Sequence, residues 1–190
     1  MDRVVHRQSP LDDYPPMFAD LAAHGLTVSV VPPLGQINLR GLDHEIAQAV
    51  AAACNGLDVT GPTNRCVAAG ASWSLCLGPD EWLLVVPKDD TNDTVRDLAV
   101  GLAGKHASIV DVSSNRIALD VGGPKAVSLF SSLTSFDMTD LRPGRCAQTM
   151  LAKAQVIIHP LAAPTTYRVF VRPSFARYLA DVIVDAARFL

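Results

Sequence analysis

One pattern is written twice in this chain, and that repetition limits the possible folds more than any single motif does. Leu57-Asp58-Val59-Thr60-Gly61-Pro62-Thr63-Asn64-Arg65-Cys66 is echoed by Phe136-Asp137-Met138-Thr139-Asp140-Leu141-Arg142-Pro143-Gly144-Arg145-Cys146, with an offset of 79 residues at Leu57/Phe136 and 80 at Cys66/Cys146. Glu81-Trp82-Leu83-Leu84-Val85-Val86-Pro87 is echoed by Tyr167-Arg168-Val169-Phe170-Val171-Arg172-Pro173, and each run leads into a helical pattern. Self-similarity at a fixed spacing marks a duplicated supersecondary unit. The expectation is an α+β fold of two pseudo-symmetric βαββ-type halves, residues 26–104 and 105–190, in one compact body behind an N-terminal arm and short helix over 1–25.

Turn chemistry sets the element boundaries. Ile117, Leu119 and Val121 alternate with Arg116, Ala118 and Asp120, the period of a half-buried strand. Gly122-Gly123 breaks that strand, and Pro124 suits the first position of a helix whose apolar face is Val127, Phe130 and Leu133. Pro143-Gly144 fits the centre of a type II turn, where glycine takes positive φ freely. Strands follow over 146–152, 155–159 and 167–172, then a helix over 175–189 with Ser174 at its N-cap and Phe175, Leu179, Val182, Ile183 and Ala186 inward.

In the first half, 27–31 reads as a strand with 36–40 as its neighbour across a turn carrying Gly35. Asp43 caps a helix over 44–54, extended runs cover 65–69, 72–77 and 82–86, and a helix spans 93–102. Residues 108–112 open the second half. Pro10, Pro15 and Pro16 bar regular structure before Met17, and His24-Gly25 ends a short helix over 17–23. Val4, Val5, Leu11 and Tyr14 are apolar anchors by which this arm can lie extended along a partner; a frayed terminus is the competing reading.

Charge and hydropathy exclude several functions. A net charge of −3, a pI near 5.9 and 16 Lys and Arg residues without a run leave no stripe for phosphates, so no nucleic-acid partner is expected. The chain is 49% apolar with a mean hydropathy of +0.23, yet no run of 18 apolar residues occurs, so no membrane span is expected and the surplus can cover a partner interface. The opening residues lack an apolar leader, which points to the cytoplasm. Cys54, Cys66, Cys76 and Cys146 fall in no C-x-x-C spacing and read as buried reduced thiols.

The search for chemistry finds little. His6, His24, His44, His106 and His159 are dispersed and form no metal-ligand pattern, and neither phosphate-cradling glycine motif is present. Asp111, Asn115 and Arg116 bring a carboxylate, an amide and a guanidinium close together, a set that can read a planar heterocycle; a turn between strands uses the same residues and is the preferred reading. Cys146 can be a nucleophile only if a histidine lowers its pKa, and its place in an alternating strand favours packing. Trp73, Trp82 and Phe136 can mark a pocket, though aromatics among strands more often belong to core or interface. The expectation is therefore no catalytic, cofactor-binding or metal residue, as in a subunit whose partners carry the chemistry.

Four motifs in order carry a resemblance: Leu77-Gly78-Pro79-Asp80-Glu81-Trp82-Leu83-Leu84, Asp111-Val112-Ser113-Ser114-Asn115-Arg116, the run from Pro143 through Cys146 to Val156, and Val171-Arg172-Pro173-Ser174-Phe175-Ala176-Arg177-Tyr178-Leu179. With Arg7-Gln8-Ser9-Pro10-Leu11 and Leu39-Arg40-Gly41, the sequence resembles the gamma subunits of bacterial heterotetrameric sarcosine oxidases over nearly its whole length. The resemblance implies a fold similar to the folate-binding domain of glycine-cleavage aminomethyltransferases, and alpha, beta and delta subunits as partners, mainly alpha. It also implies FAD, covalent FMN, NAD and tetrahydrofolate on alpha and beta, zinc on delta, and no cofactor on this chain. Such assemblies oxidise sarcosine to glycine, sister complexes act on dimethylglycine and other N-methyl amino acids, and a stand-alone folate-binding one-carbon transfer protein is the alternative that the fold class alone suggests. Related folate-dependent repair proteins carry Lys-Gly-Cys-Tyr-x-Gly-Gln-Glu. Here Arg145-Cys146-Ala147-Gln148-Thr149 lacks the Tyr and the Glu, so no folate site is carried over.

Overall fold

The computed structural model describes residues 9–163 and 165–190. Ten strands form two five-stranded antiparallel sheets. The first contains β2 (Gly35–Arg40), β3 (Cys66–Ala69), β4 (Ser72–Gly78), β5 (Glu81–Val86) and β6 (Ser108–Asp111) in the order β3-β4-β5-β2-β6. The second contains β1 (Thr27–Val30), β7 (Ile117–Gly122), β8 (Ala147–Leu151), β9 (Ala154–Pro160) and β10 (Tyr167–Val171) in the order β1-β7-β10-β9-β8.

The edge strands overturn one expected pairing. β1 does not neighbour β2; it pairs with β7, in register from Thr27↔Gly122 to Val30↔Leu119. β6, expected to open the second half, pairs with β2 from Ile37↔Asp111 to Arg40↔Ser108. The cause lies in the linkers. A residue before proline is held extended, so Pro32-Pro33 carries the chain onward instead of turning it back, and Val31 N–H continues the pairing by donating to Ala118 O at 2.9 Å. The chain thus crosses between sheets at 31–34 and again after β6.

The sheets stack face to face with helices outside. α2 (Asp43–Ala53) and α3 (Thr91–Gly101) cover the outer face of the first sheet, packing Ile46, Val50 and Leu98 on Ile37, Leu39 and Leu84. α4 (Ala126–Leu133) and α5 (Pro173–Ala187) cover the second, packing Leu129, Phe130, Leu179 and Ile183 on Leu119, Ile158 and Val169. The inner faces meet through Leu75, Leu77, Leu83 and Val85 against Ala118, Ile157 and Phe170. Successive strand residues point to opposite faces, so a sheet covered on both faces needs unbroken apolar runs such as 82–86 and 156–158. Each large side chain fully buried in these layers contributes about 1.5–3 kcal/mol. The high hydropathy is thus largely taken up by three internal layers and does not by itself call for a partner.

Three local boundaries differ from expectation. α2 starts at Asp43 itself, whose carboxylate accepts from His44 N at 2.7 Å, and its N-cap is Leu42. α5 starts at Pro173 with Arg172 as N-cap, ahead of Ser174. α1 (Pro15–Ala19) starts on the prolines thought to forbid it, because the first turn has N–H groups without intrahelical partners and loses nothing to proline.

The arm is corrected as well. Leu11 is fully buried and Tyr14 nearly so in the chain's own helical layer; the Tyr14 hydroxyl donates to Asp181 Oδ1 at 2.8 Å and Arg177 Nε donates to Pro10 O at 2.9 Å. These anchors serve α5, not a partner, while Val4 and Val5 lie outside the described residues.

Candidate functional site

Beside the crossing segments 31–34 and 113–116 a cavity of about 490 Å³ opens. Its walls are mostly apolar, with Val30, Leu34 and Ile117 among them, and its polar side chains include Gln36 and Arg116. Gln36 faces inward because the alternation of β2 sends Ile37 and Leu39 to the helices, leaving Gln36 only 2% exposed. Its backbone N–H donates to Ser113 Oγ at 3.0 Å, and its Nε2 donates to Arg116 O at 2.9 Å. A carbonyl can only accept, which fixes the orientation of the amide; Oε1 is left buried without a donor among the described residues.

The other polar groups here are engaged. Ser113 Oγ donates to Asp111 Oδ1 at 2.5 Å, and the same oxygen accepts from Ser113 N at 2.8 Å, so Asp111 closes the turn after β6. Arg172 Nη1 donates to Asn115 Oδ1 at 3.1 Å. The Arg116 guanidinium is half-buried and forms no hydrogen bond or ion pair among the described residues. Burial and the nearby Arg172 charge press its pKa below the usual arginine value, with Glu81 opposing. Of the three residues that the sequence singled out, only Arg116 lines the cavity; Asp111 and Asn115 are occupied in holding the turn and β10.

Cys146 is a packing residue. It is 2% exposed between the sheets, and burial first, then the neighbouring Cys76, push its thiol up to about 12. Burial likewise pushes Cys66 up to about 12 and Cys54 up to about 11. A thiol so protonated is no nucleophile at neutral pH. Around it, Cys66 N donates to Gly144 O and Cys146 N to Asn64 O, each at 2.8 Å, so Arg65 and Arg145 pair and the starts of β3 and β8 join the two sheets.

His159 is fully buried on β9, its ring 4.8 Å from Trp73 and 6.1 Å from Phe170, with Nδ1 donating to Pro160 O at 3.1 Å. Burial pulls its pKa down to about 4, so it stays neutral. Trp73, Trp82 and Phe136 do not converge: Trp73 lies between the sheets, Trp82 under α2 and α3, Phe136 at the other helical layer. Among the described residues no group of three or more His, Cys, Asp or Glu side chains could hold a metal, and no helix is long and apolar enough to cross a membrane.

Comparison with known proteins places this arrangement among relatives. Residues 40–188 match the sarcosine oxidase, gamma subunit family. A sarcosine oxidase subunit gamma from Arthrobacter sp. is 25% identical over 158 residues, spanning 80% of this chain and 77% of that one. Among solved structures, the heterotetrameric sarcosine oxidase from Corynebacterium sp. U-96, in complex with pyrrole 2-carboxylate, contains a chain that matches with a TM-score of 0.82 at 24% identity, over 96% of this chain and 95% of that one. The glycine cleavage system aminomethyltransferase T from Bartonella henselae matches with a TM-score of 0.65 at 12% identity, over 90% of this chain but 49% of that one. At these identities the structural matches establish a shared fold.

Proposed function

The chain belongs to the sarcosine oxidase, gamma subunit family, and from that premise we propose that it is a non-catalytic subunit of a heterotetrameric, cytoplasmic sarcosine oxidase. The observation that carries this reading is the family match over 40–188, which takes in strands β3 to β10 and helices α2 to α5. The side chains support it: the thiols and His159, the usual nucleophile and base, are held neutral in packed layers. In this reading alpha, beta and delta subunits hold FAD, covalent FMN, NAD, tetrahydrofolate and zinc. The assembly converts sarcosine to glycine with hydrogen peroxide and either formaldehyde or 5,10-methylenetetrahydrofolate. This chain contributes to assembly, mainly through alpha. Four buried, unpaired thiols suit the reducing cytoplasm.

The same reading takes the two halves as copies of one plan. It is supported by the sheet orders: numbered from the first strand of each half, β3-β4-β5-β2 and β8-β9-β10-β7 are the same arrangement, each closed by an edge strand from elsewhere in the chain. Affinity purification of the tagged chain from its native source tests the function. Flavin-bearing partners and sarcosine-dependent oxygen uptake should co-elute. Recovery of a chain without partners from cells that oxidise sarcosine would reject the reading.

A further inference from the structure

At the end of the sandwich where β7 begins and β10 ends, two arginines stand side by side. The ladder pairs Val171 with Ile117 on β7 and with Val156 on β9, so one step further along Arg172 is flanked by Arg116 and Gln155. Alternation puts all three on the inner face with Ala118, Phe170 and Ile157, and Met150, opposite Gln155 on β8, continues the row. Like charges directly across a ladder repel and destabilise it. Burial, then the Arg172 charge, lower the Arg116 pKa, so the two guanidiniums are within electrostatic reach of one another.

No carboxylate pairs with either of them among the described residues. Arg172 Nη1 reaches the neutral Asn115 Oδ1 at 3.1 Å, and Arg116 forms no ion pair. Glu81, which offsets the Arg116 charge from the facing sheet, is committed to Asn38 Nδ2 at 2.8 Å and lies 3.8 Å from Arg40 Nη1. Arg116, Arg172, Gln148 and Gln155 line, with Val156 and Ile157, a cavity of about 20 Å³, room for one water-sized group. Arg172, Gln148 and Gln155 are exposed, and Arg116 is half-buried. So small a recess encloses no metabolite; its occupant is the tip of something held from outside. Met150, 46% exposed in the same row, offers that support an apolar contact, and Arg and Met are both enriched where proteins meet.

We propose that this end of the sandwich is a docking surface for a partner subunit, which inserts the carboxylate of an Asp or Glu side chain between Arg116 and Arg172 and packs an apolar neighbour on Met150. A guanidinium fork presents paired donors in a plane and matches a carboxylate. The incoming charge replaces the repulsion of the two arginines by their attraction to a shared anion, so a row that costs the isolated chain stability favours the complex. The inference rests on the assembly role and names the chemistry of the contact.

Affinity purification of the tagged chain from its native source, washed at graded salt, tests it by the flavin-bearing partners retained. Arg116→Gln/Arg172→Gln should retain about tenfold less partner than the unaltered chain at low salt, the loss expected of one charge-assisted pair, and should respond less steeply to salt. Arg96→Gln, which removes an exposed arginine paired with Asp93 on α3, should behave as the unaltered chain. The double variant should melt no lower than the parent, since it removes no ion pair and relieves a like-charge contact. Equal retention by the double variant at every salt concentration would overturn the proposal and leave the assembly role intact; recovery of no partner by the unaltered chain would remove the assembly role and the proposal with it. A lowered melting temperature would make the arginine pair structural, and saturable binding of free acetate at millimolar concentration to the isolated chain, lost in the double variant, would assign the recess to a free anion. Either result would also overturn the proposal.

Discussion

His159 shows what one buried residue contributes to the response of the fold to acid. Its folded pKa, about 4, lies below its ordinary value of 6.5, so the unfolded chain takes up the proton first. Stability from the neutral ring is fully present above pH 6.5 and is lost as pH falls toward 4. The predicted loss is about 3 kcal/mol across that window, at 1.36 kcal/mol per unit. Replacement by Phe, which retains the packing on Trp73 and Phe170, should remove this slope relative to the parent chain; denaturation midpoints at both pH values measure it, and parallel curves would contradict the assignment. Gly144 makes a different point. Its φ is +86°, and a Cβ there would lie 3.9 Å from Cys66 O, so the obstacle to a side chain is backbone strain, not collision. Gly144→Val should cost about 1–3 kcal/mol and lower the melting temperature; an unchanged value would show that the turn does not depend on positive φ.

At the scale of elements, the sequence disclosed strands and helices better than their partners. Extended apolar runs, alternation at 117–121 and glycine-proline punctuation located the described strands and the larger helices, because those signals arise within a few residues. Pairing of the edges was not legible: nothing inside β1 says that it faces β7, and only the extended Pro32-Pro33 linker hints at a crossing. If β1 and β2 formed a hairpin, replacing Pro32-Pro33 by Asn-Gly would stabilise it. Because they lie in different sheets, the exchange should instead cost about 1–2 kcal/mol through a freer unfolded linker, read by chemical denaturation. Increased stability would argue for the hairpin. The site was half legible. Arg116 stood out in a polar cluster, whereas Gln36 was hidden in the polar phase of an alternating strand, on the same face as Asn38 and Arg40. Leu11 and Tyr14 were misread because an apolar anchor does not state its target. Leu11→Ala should cost about 2–5 kcal/mol in the isolated chain, where a partner-bound anchor would cost nothing.

For the whole molecule, three apolar layers between and outside two sheets make a body able to hold itself together, with large exposed apolar side chains at Leu42, Val100, Val110, Met150, Phe175 and Phe189 spread over several elements. An assembly role rests on the family, not on a surplus of hydropathy, and the isolated chain should be colourless and inactive toward sarcosine. The most direct measurement is co-expression of the alpha, beta and delta partners with and without this chain, followed by size-exclusion chromatography read at flavin wavelengths and by sarcosine-dependent peroxide production. The account predicts that the chain elutes with the flavin peak, and that its omission lowers the yield of active assembly without changing the chemistry of what forms. A flavin-bearing complex that assembles to full yield and activity without it, while the chain elutes as a separate monomer, would contradict the account.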